Sequence, residues 1–325
     1  MAVLVTGGAG YIGSHMTYAL LDRGEAVVVL DNLSTGFRSQ VGEKAIFVQG
    51  EVADQALVAS LIREHTIDAV IHFAGSIVVP ESVAKPLAYY ANNVVSSRAL
   101  IETCVKECVK NFIFSSTSTV YAVDAKQPLR ENEPTVPISP YARSKLMTEW
   151  ILEDASRATD LRHIVLRYFN VAGADPKGRT GQSTPEATHL IRRAARVVLG
   201  RLPYLDVFGT DYPTPDGTGV RDYIHVVDLA NAHLLALDAL RGGAESVTYN
   251  CGYGKGLSVR QIIRAVEDVT GRNLPVRDGH RRPGDPPTLI ADAARIKNAL
   301  GWMPRHDNLA EIIRSTLEWE RRMNG

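Results

Sequence analysis

The chain has 325 residues, more than one average core requires, so two domains sharing a cleft are expected. Hydrophobic residues make up 45% and charged residues 22%, and 36 Lys plus Arg balance 36 Asp plus Glu; this is an ordinary globular composition without the basic excess of a nucleic-acid or anionic-membrane binder. Three cysteines are too few for a disulfide framework, and no apolar run reaches the roughly 20 residues of a membrane span.

The opening MAVLVTGG reads as strand at once, with no charged leader or long apolar stretch, so a cytoplasmic protein is expected, with no nucleic acid or membrane as partner. The first half alternates β-branched runs (2–5, 26–30, 45–48, 69–73, 111–114, 163–166) with helical patterns (11–23, 57–65, 87–110, 141–157). That alternation predicts βαβ units and a doubly wound, Rossmann-type parallel sheet in an α/β fold. Cys104 and Cys108, four apart in a helical pattern, are expected to share a face as small core residues. From about Val171 the rhythm changes to polar, turn-rich segments, GADPKGRTGQSTPEAT and DYPTPDGTG. Ser258 with Gln261 predicts a capping box and Gly271 a helix stop; Asn308 with Glu311 predicts a similar start for the last helix. The expected division is a cofactor domain over 1–170, rejoined by about 222–250, and a smaller C-terminal substrate domain mainly over 171–325. There is no internal repeat.

TGGAGYIG follows the first strand and opens a helix, with glycines at Gly7, Gly10 and Gly13. Such a turn lets a diphosphate approach backbone amides at a helix start and lets helix and sheet pack closely. A glycine triplet alone is weak; the context strengthens it. The second strand ends in Asp31, placed to bind the adenosine ribose hydroxyls and to repel a 2′-phosphate, and Asn32 adds no positive charge. NAD is therefore expected over NADP. The nine histidines show no paired metal-ligand spacing, so no metal is expected.

SPYARSK places Tyr141 and Lys145 four apart at the start of a helical pattern. A free tyrosine, with pKa about 10, is a poor base at neutral pH; a neighbouring ammonium is expected to lower that value. The hydroxyl run FSSTSTVYA behind the strand at 111–114 offers Thr117 as a partner. By itself a Tyr and Lys four apart is common on helices; with the glycine turn upstream the pairing becomes specific.

Together with IDAVIHFAG, PESVAKPLAYYANNV, LRYFNVAGADP, DGTGVRDYIHVVDLA, YNCGYGKGLSV and RRPGDPP, these stretches resemble the extended, sugar-nucleotide-modifying branch of the short-chain dehydrogenase/reductase superfamily, and within it the UDP-sugar 4-epimerases. The resemblance runs almost end to end. It implies Tyr141 as base, Lys145 as its electrostatic partner and a ribose contact, and Thr117 as the hydroxyl beside sugar O4. It implies Gly7, Gly10, Tyr11, Ile12, Gly13, Asp31, Asn32, Phe73, Ala74, Gly75, Asn92, Tyr141, Lys145 and Tyr168 around NAD. It implies Thr117, Tyr141, Asn170, His189, Leu190, Phe208, Arg221, Arg282 and Asp285 around the UDP-sugar. The helices at 87–110 and 141–157 resemble those of a four-helix homodimer interface.

Related dehydratases carry an acid two residues before the tyrosine of S-T-x-E-V-Y; here Thr119 stands there, which favours simple reversal at C4, with UDP-glucose and UDP-galactose as the expected pair. Ile77 replaces a common lysine, and Leu289 occupies the position that gates the hexose pocket in the family, which leaves UDP-pentoses and UDP-N-acetylhexosamines open. A dehydratase and a non-catalytic NAD-binding regulator are the remaining alternatives, the second opposed by the intact Tyr–Lys pair.

Overall fold

The computed structural model describes residues 1–184, 188–282 and 285–323. Pro185, Glu186 and Ala187 of the polar loop and Pro283 and Gly284 of RRPGDPP lie outside the described residues. In chain order the elements are β1 (Ala2–Thr6), α1 (Tyr11–Asp22), β2 (Ala26–Asp31), β3 (Ile46–Gln49), α2 (Gln55–His65), β4 (Ile67–His72), α3 (Val79–Ala84), α4 (Pro86–Tyr89), a π-helical turn (Tyr90–Val95), α5 (Ser96–Lys106), β5 (Asn111–Thr117), α6 (Pro140–Ala158) and β6 (Arg162–Tyr168). They continue with β7 (Asn170–Ala172), α7 (Leu190–Val198), β8 (Leu205–Phe208), β9 (Val220–His225), α8 (Val226–Arg241), β10 (Val247–Cys251), β11 (Gly256–Ser258), α9 (Val259–Thr270), β12 (Val276–Gly279), β13 (Thr288–Leu289), α10 (Ala294–Leu300) and α11 (Leu309–Arg322).

The chain divides into two compact units. The first comprises Met1–Ala122, Pro134–Arg167 and Ala230–Tyr249. Its centre is a seven-stranded sheet in the order β10-β6-β5-β4-β1-β2-β3. The pairs from β3 to β5 are parallel, and β1 is buried at every residue, as a strand covered on both faces must be. Strand order reverses at β1 and β4, so the loops leaving their carboxyl ends form the ligand crevice of this sheet type. Ser139 caps α6 by accepting the Ala142 amide at 3.2 Å, and Pro140 occupies the first helical position; together they fix Tyr141 in the first turn.

The second unit comprises Val123–Glu133, Tyr168–Leu229 and Asn250–Gly325. Here β9 is flanked by β11 and β13 and also pairs with β7, while β8 and β12 form a separate parallel pair. Helices α7, α9 and α11 pack on one another. Ser258 and Gln261 make the reciprocal capping box, and Gly271 closes α9 at φ 65°.

Several expectations are corrected. Residues 222–250 do not all rejoin the first sheet: β9 pairs with β7, β11 and β13, and only β10 enters the seven-stranded sheet. Residues 123–133 belong to the second unit, because Leu129 exchanges backbone hydrogen bonds with Ile290 and Asp292 (both 2.8 Å). The pattern at 87–110 is two helices joined by a π turn, and the second ends at Lys106 because Cys108 turns to φ 59°. Cys104 is therefore core while Cys108 is exposed, and they do not share a helix face. Asn308 does cap α11, but Glu311 faces His306 Nδ1 at 2.5 Å rather than reaching back to complete a box.

Candidate active site

The loops after β1 and β4 meet around glycines. Gly7 adopts φ 70°, and a Cβ there would stand 2.6 Å from the Ala74 nitrogen. A Cβ on Gly13 would stand 2.2 Å from the Gly7 carbonyl oxygen. Phe73 and Ala74 thus run directly against the glycine turn, and Tyr11 and Ile12 open α1, whose N-cap, Gly10, provides no side-chain cap. A helix start without a capping side chain is suited to an anion, here a dinucleotide diphosphate. Asp31 is anchored to the same turn: one carboxylate oxygen accepts the Ala9 amide at 2.9 Å and the other the Leu33 amide at 2.8 Å. Asn32 donates to Glu51 at 3.1 Å. The backbone cradle and the anchored carboxylate fit NAD.

Gly75 borders α6, since a Cβ there would meet Asn93 Oδ1 at 3.1 Å and Lys145 Nζ at 3.8 Å. The π turn exposes Asn92, which donates to Ser76 Oγ at 2.9 Å, and turns the buried Asn93 inward. Asn93 receives the Ser76 amide at 2.7 Å and donates to the Ser76 carbonyl and Ser144 Oγ, both at 2.9 Å. Asn93 therefore ties the Gly75–Ser76 loop to α6. Reading the sequence as one continuous helix hid this, since only the π turn distinguishes the two asparagines.

Thr117 ends β5, and its hydroxyl acts to lower the Tyr141 phenol. Thr119 lies 3.0 Å from Thr117, hydroxyl to hydroxyl, and so helps to orient it. Lys145 is buried; its Nζ donates to the Ser115 carbonyl at 2.9 Å and stands 5.0 Å over the Phe114 ring. The expectation that the ammonium lowers the phenol is corrected for the protein alone. The Tyr141 ring keeps an open edge, yet desolvation of its hydroxyl pushes the phenol up to about 12, only partly offset by Thr117. Burial also pulls Lys145 down to about 8, with Glu149 opposing the fall.

His72 bridges Thr6 Oγ1 at 2.6 Å and Ser97 Oγ at 2.8 Å beneath this site. Burial, and secondarily Lys145, lowers its pKa from 6.5 to about 3, and burial lowers that of His163 to about 4. Above 6.5 both are neutral in the folded and unfolded chain. As pH falls toward 4 only the unfolded chain takes up these protons, so stability is lost, by up to about 1.4 kcal/mol per pH unit for each histidine. The buried His163 Nδ1 has no partner among the described residues. Consequently His163→Leu should flatten the fall of the urea midpoint between pH 6.5 and 4.5; an unchanged slope would contradict the assignment.

In the second unit, β9 carries Arg221, whose Nη2 reaches Asp285 Oδ1 at 2.5 Å and whose Nη1 donates to the Val220 carbonyl at 2.8 Å. The Asp285 amide donates to the Arg282 carbonyl at 3.2 Å, and the Arg282 guanidinium lies 4.1 Å over the Phe208 ring. Arg221, Arg282, Asp285 and Phe208 are thereby brought together as a cationic cluster with an aromatic face. Leu289 pairs with Arg221 in register. Asn170 opens β7 opposite Tyr223, Tyr168 ends β6, and His189 and Leu190 stand at the start of α7, where His189 Nδ1 lies 3.3 Å from Gln182. Among the described residues no three His, Cys, Asp or Glu side chains cluster as metal ligands, and no helix is long and apolar enough to cross a membrane.

A glycine turn at the switch point of a parallel sheet and an anchored acid on the second strand define a dinucleotide-binding class, and the chain belongs to the NAD dependent epimerase/dehydratase family, whose sequence model matches residues 3–252. More particularly, it is 56% identical to a UDP-glucose 4-epimerase of Azospirillum brasilense over 98% of this chain and 92% of that one. The solved UDP-glucose 4-epimerase of Brucella ovis in complex with NAD is 45% identical, covers 98% of this chain and 97% of its own, and superposes with a TM-score of 0.94. That of Stenotrophomonas maltophila, with NAD and formylated UDP-arabinopyranose bound, is 43% identical over 100% and 99% of the two chains, with a TM-score of 0.96.

Proposed function

We propose that the protein is an NAD-dependent epimerase that inverts C4 of a UDP-sugar, with UDP-glucose and UDP-galactose as its principal pair. The observation that carries this reading is that Thr117 offsets the rise of the Tyr141 phenol, with a threonine and no acid at position 119. The glycine turn and Asp31 would hold NAD, which would supply reversible uptake of the C4 hydride with no net redox change. Tyr141 takes the proton of the 4-hydroxyl and later returns one; Thr117 holds the path of that proton. Lys145 presents positive charge as the phenolate forms. Elimination of water needs an acid or base at the neighbouring carbon, and Thr119 cannot ionise at neutral pH. The sugar therefore only turns over between removal and return of hydrogen. Arg221 and Arg282 suit the diphosphate, and the ring of Phe208 and the carboxylate of Asp285 suit the nucleoside. The first unit acts as the NAD domain and the second mainly as the UDP-sugar domain.

The test is incubation of the purified protein with UDP-galactose, without added NAD, followed by NMR of the C4 epimer. A dehydrated product, or release of reduced cofactor in stoichiometric amount, would sink the reading. UDP-N-acetylgalactosamine and UDP-xylose in parallel incubations report how far the buried Leu289 admits other sugars.

The working form is a homodimer formed by the helices of the first unit. Supporting this, Leu87 is 80% exposed, Val95 58% and Trp150 52%, large apolar side chains on α4, the π turn and α6. These elements pack together in the first unit. Sedimentation should give a dimer, and Leu87→Glu with Trp150→Glu a monomer; a monomeric wild type at micromolar concentration would refute the assembly.

A further inference from the structure

We propose that Glu149 and Arg167 are positioning residues of the catalytic site, whose buried ion pair fixes the strand end carrying Thr117 against the helix carrying Tyr141 and Lys145. The proposal rests on the epimerase reading. Residues 141, 145 and 149 succeed one another at i+4 steps on one face of α6. Two of them bond the end of β5, where Lys145 donates to the Ser115 carbonyl and Glu149 accepts from Ser116 Oγ, while Thr117 acts to lower the Tyr141 phenol. Glu149 in turn receives Arg167 Nε at 3.1 Å on each oxygen and Nη2 at 2.5 Å.

Arg167 comes from β6, the neighbour of β5 in the sheet. Its guanidinium stands 5.0 Å over the Tyr121 ring and hydrogen-bonds that residue. The pair thus holds the hydroxyl run at both ends, through Ser116 before Thr117 and Tyr121 after the tight turn at Ser118–Val120. The two side chains are only 8% and 7% exposed. Apolar residues of similar volume often replace a buried ion pair without loss of stability, so stability is a poor reason for having one here. Its place one helical turn beyond Lys145 supplies a better reason.

The pair also acts through charge. Lys145 is faced by Glu149 from its own helix, by His72 from β4, by the Ser115 carbonyl and Phe114 ring from β5, and by Gly75. Glu149 is the group that opposes loss of the Lys145 proton, while Arg167 holds Glu149 in place.

The test uses Glu149→Gln combined with Arg167→Met, which removes both charges at nearly constant volume, and Ser116→Ala, which leaves the pair intact. The double variant should keep its bound NAD and its affinity for UDP within about twofold. Its kcat on UDP-galactose should fall about 10- to 100-fold, as for a displaced catalytic group. Its alkaline limb of kcat should move to lower pH by roughly one unit, the low end for loss of a nearby opposite charge. Ser116→Ala should lower kcat with the limb unmoved. Wild-type kcat and pH limb in the double variant, or a loss confined to thermal stability, overturns the proposal. Where the double variant fails to fold, wild-type kcat in Ser116→Ala does so. Wild-type turnover in the same assay is the separate control on the epimerase reading.

Discussion

Tyr141→Phe is expected to lower kcat by about 10²- to 10⁴-fold, the range for loss of a positioned general base, while NAD stays bound and the fold is unchanged. The phenyl ring still fills the space at the start of α6; only the hydroxyl is removed. Because burial holds the phenol near 12 in the protein alone, the oxygen is useful only when positive charge is close, and Lys145, one helical turn on, is the residue suited to supply it. Lys145→Met should therefore lose turnover as well, and, unlike Tyr141→Phe, should also weaken cofactor retention, since Nζ stands beside Gly75. The two variants separate proton transfer from charge. Stopped-flow turnover and the absorbance of cofactor released on denaturation read both quantities. Wild-type-like turnover in Tyr141→Phe would refute the role given to this residue.

The other large effect belongs to Gly13→Ala. Its Cβ would lie 2.2 Å from the Gly7 carbonyl oxygen and 2.9 Å from the Gly8 Cα, both backbone atoms that no rotamer change can move aside. Either α1 retreats from β1 or the turn opens, and in both cases the helix-start amides leave the diphosphate. The expected result is protein purified without NAD and inactive, destabilised by about 1–3 kcal/mol as overpacked sites are. Gly10→Ala meets its nearest obstacle only at 3.3 Å, so it should fold normally and lose cofactor affinity selectively. Cofactor content and urea midpoints measured on both variants distinguish crowding of the fold from crowding of the ligand. A Gly13→Ala protein with full cofactor content would show that the turn is looser than its packing implies.

Much of the site was legible in the sequence because its chemistry is local. The glycine turn, Asp31, and the Tyr141–Lys145 spacing each depend on a few consecutive residues at the end of one element, and a strand or helix of known period fixes their directions. Asn93 and Glu149 were not legible for opposite reasons. Asn93 needed the π turn, which shifts the phase of a helix that otherwise reads as continuous. Glu149 lay in plain view eight residues after Tyr141, but a charged residue on a helix is ordinarily solvated, and only the neighbouring strand made it buried and paired.

By itself the sequence determined the alternation of strand and helix, the doubly wound sheet, the glycine turn after β1 and the Tyr141–Lys145 spacing at the start of α6, since periodicity and close-range sterics act within a few residues along the chain. Tertiary structure alone decided that 123–133 joins the second unit, that β9 stays out of the main sheet, and that burial raises the Tyr141 phenol instead of letting Lys145 lower it. Strand partners and desolvation are properties of residues far apart in sequence, and no local pattern encodes how completely water is removed from an oxygen.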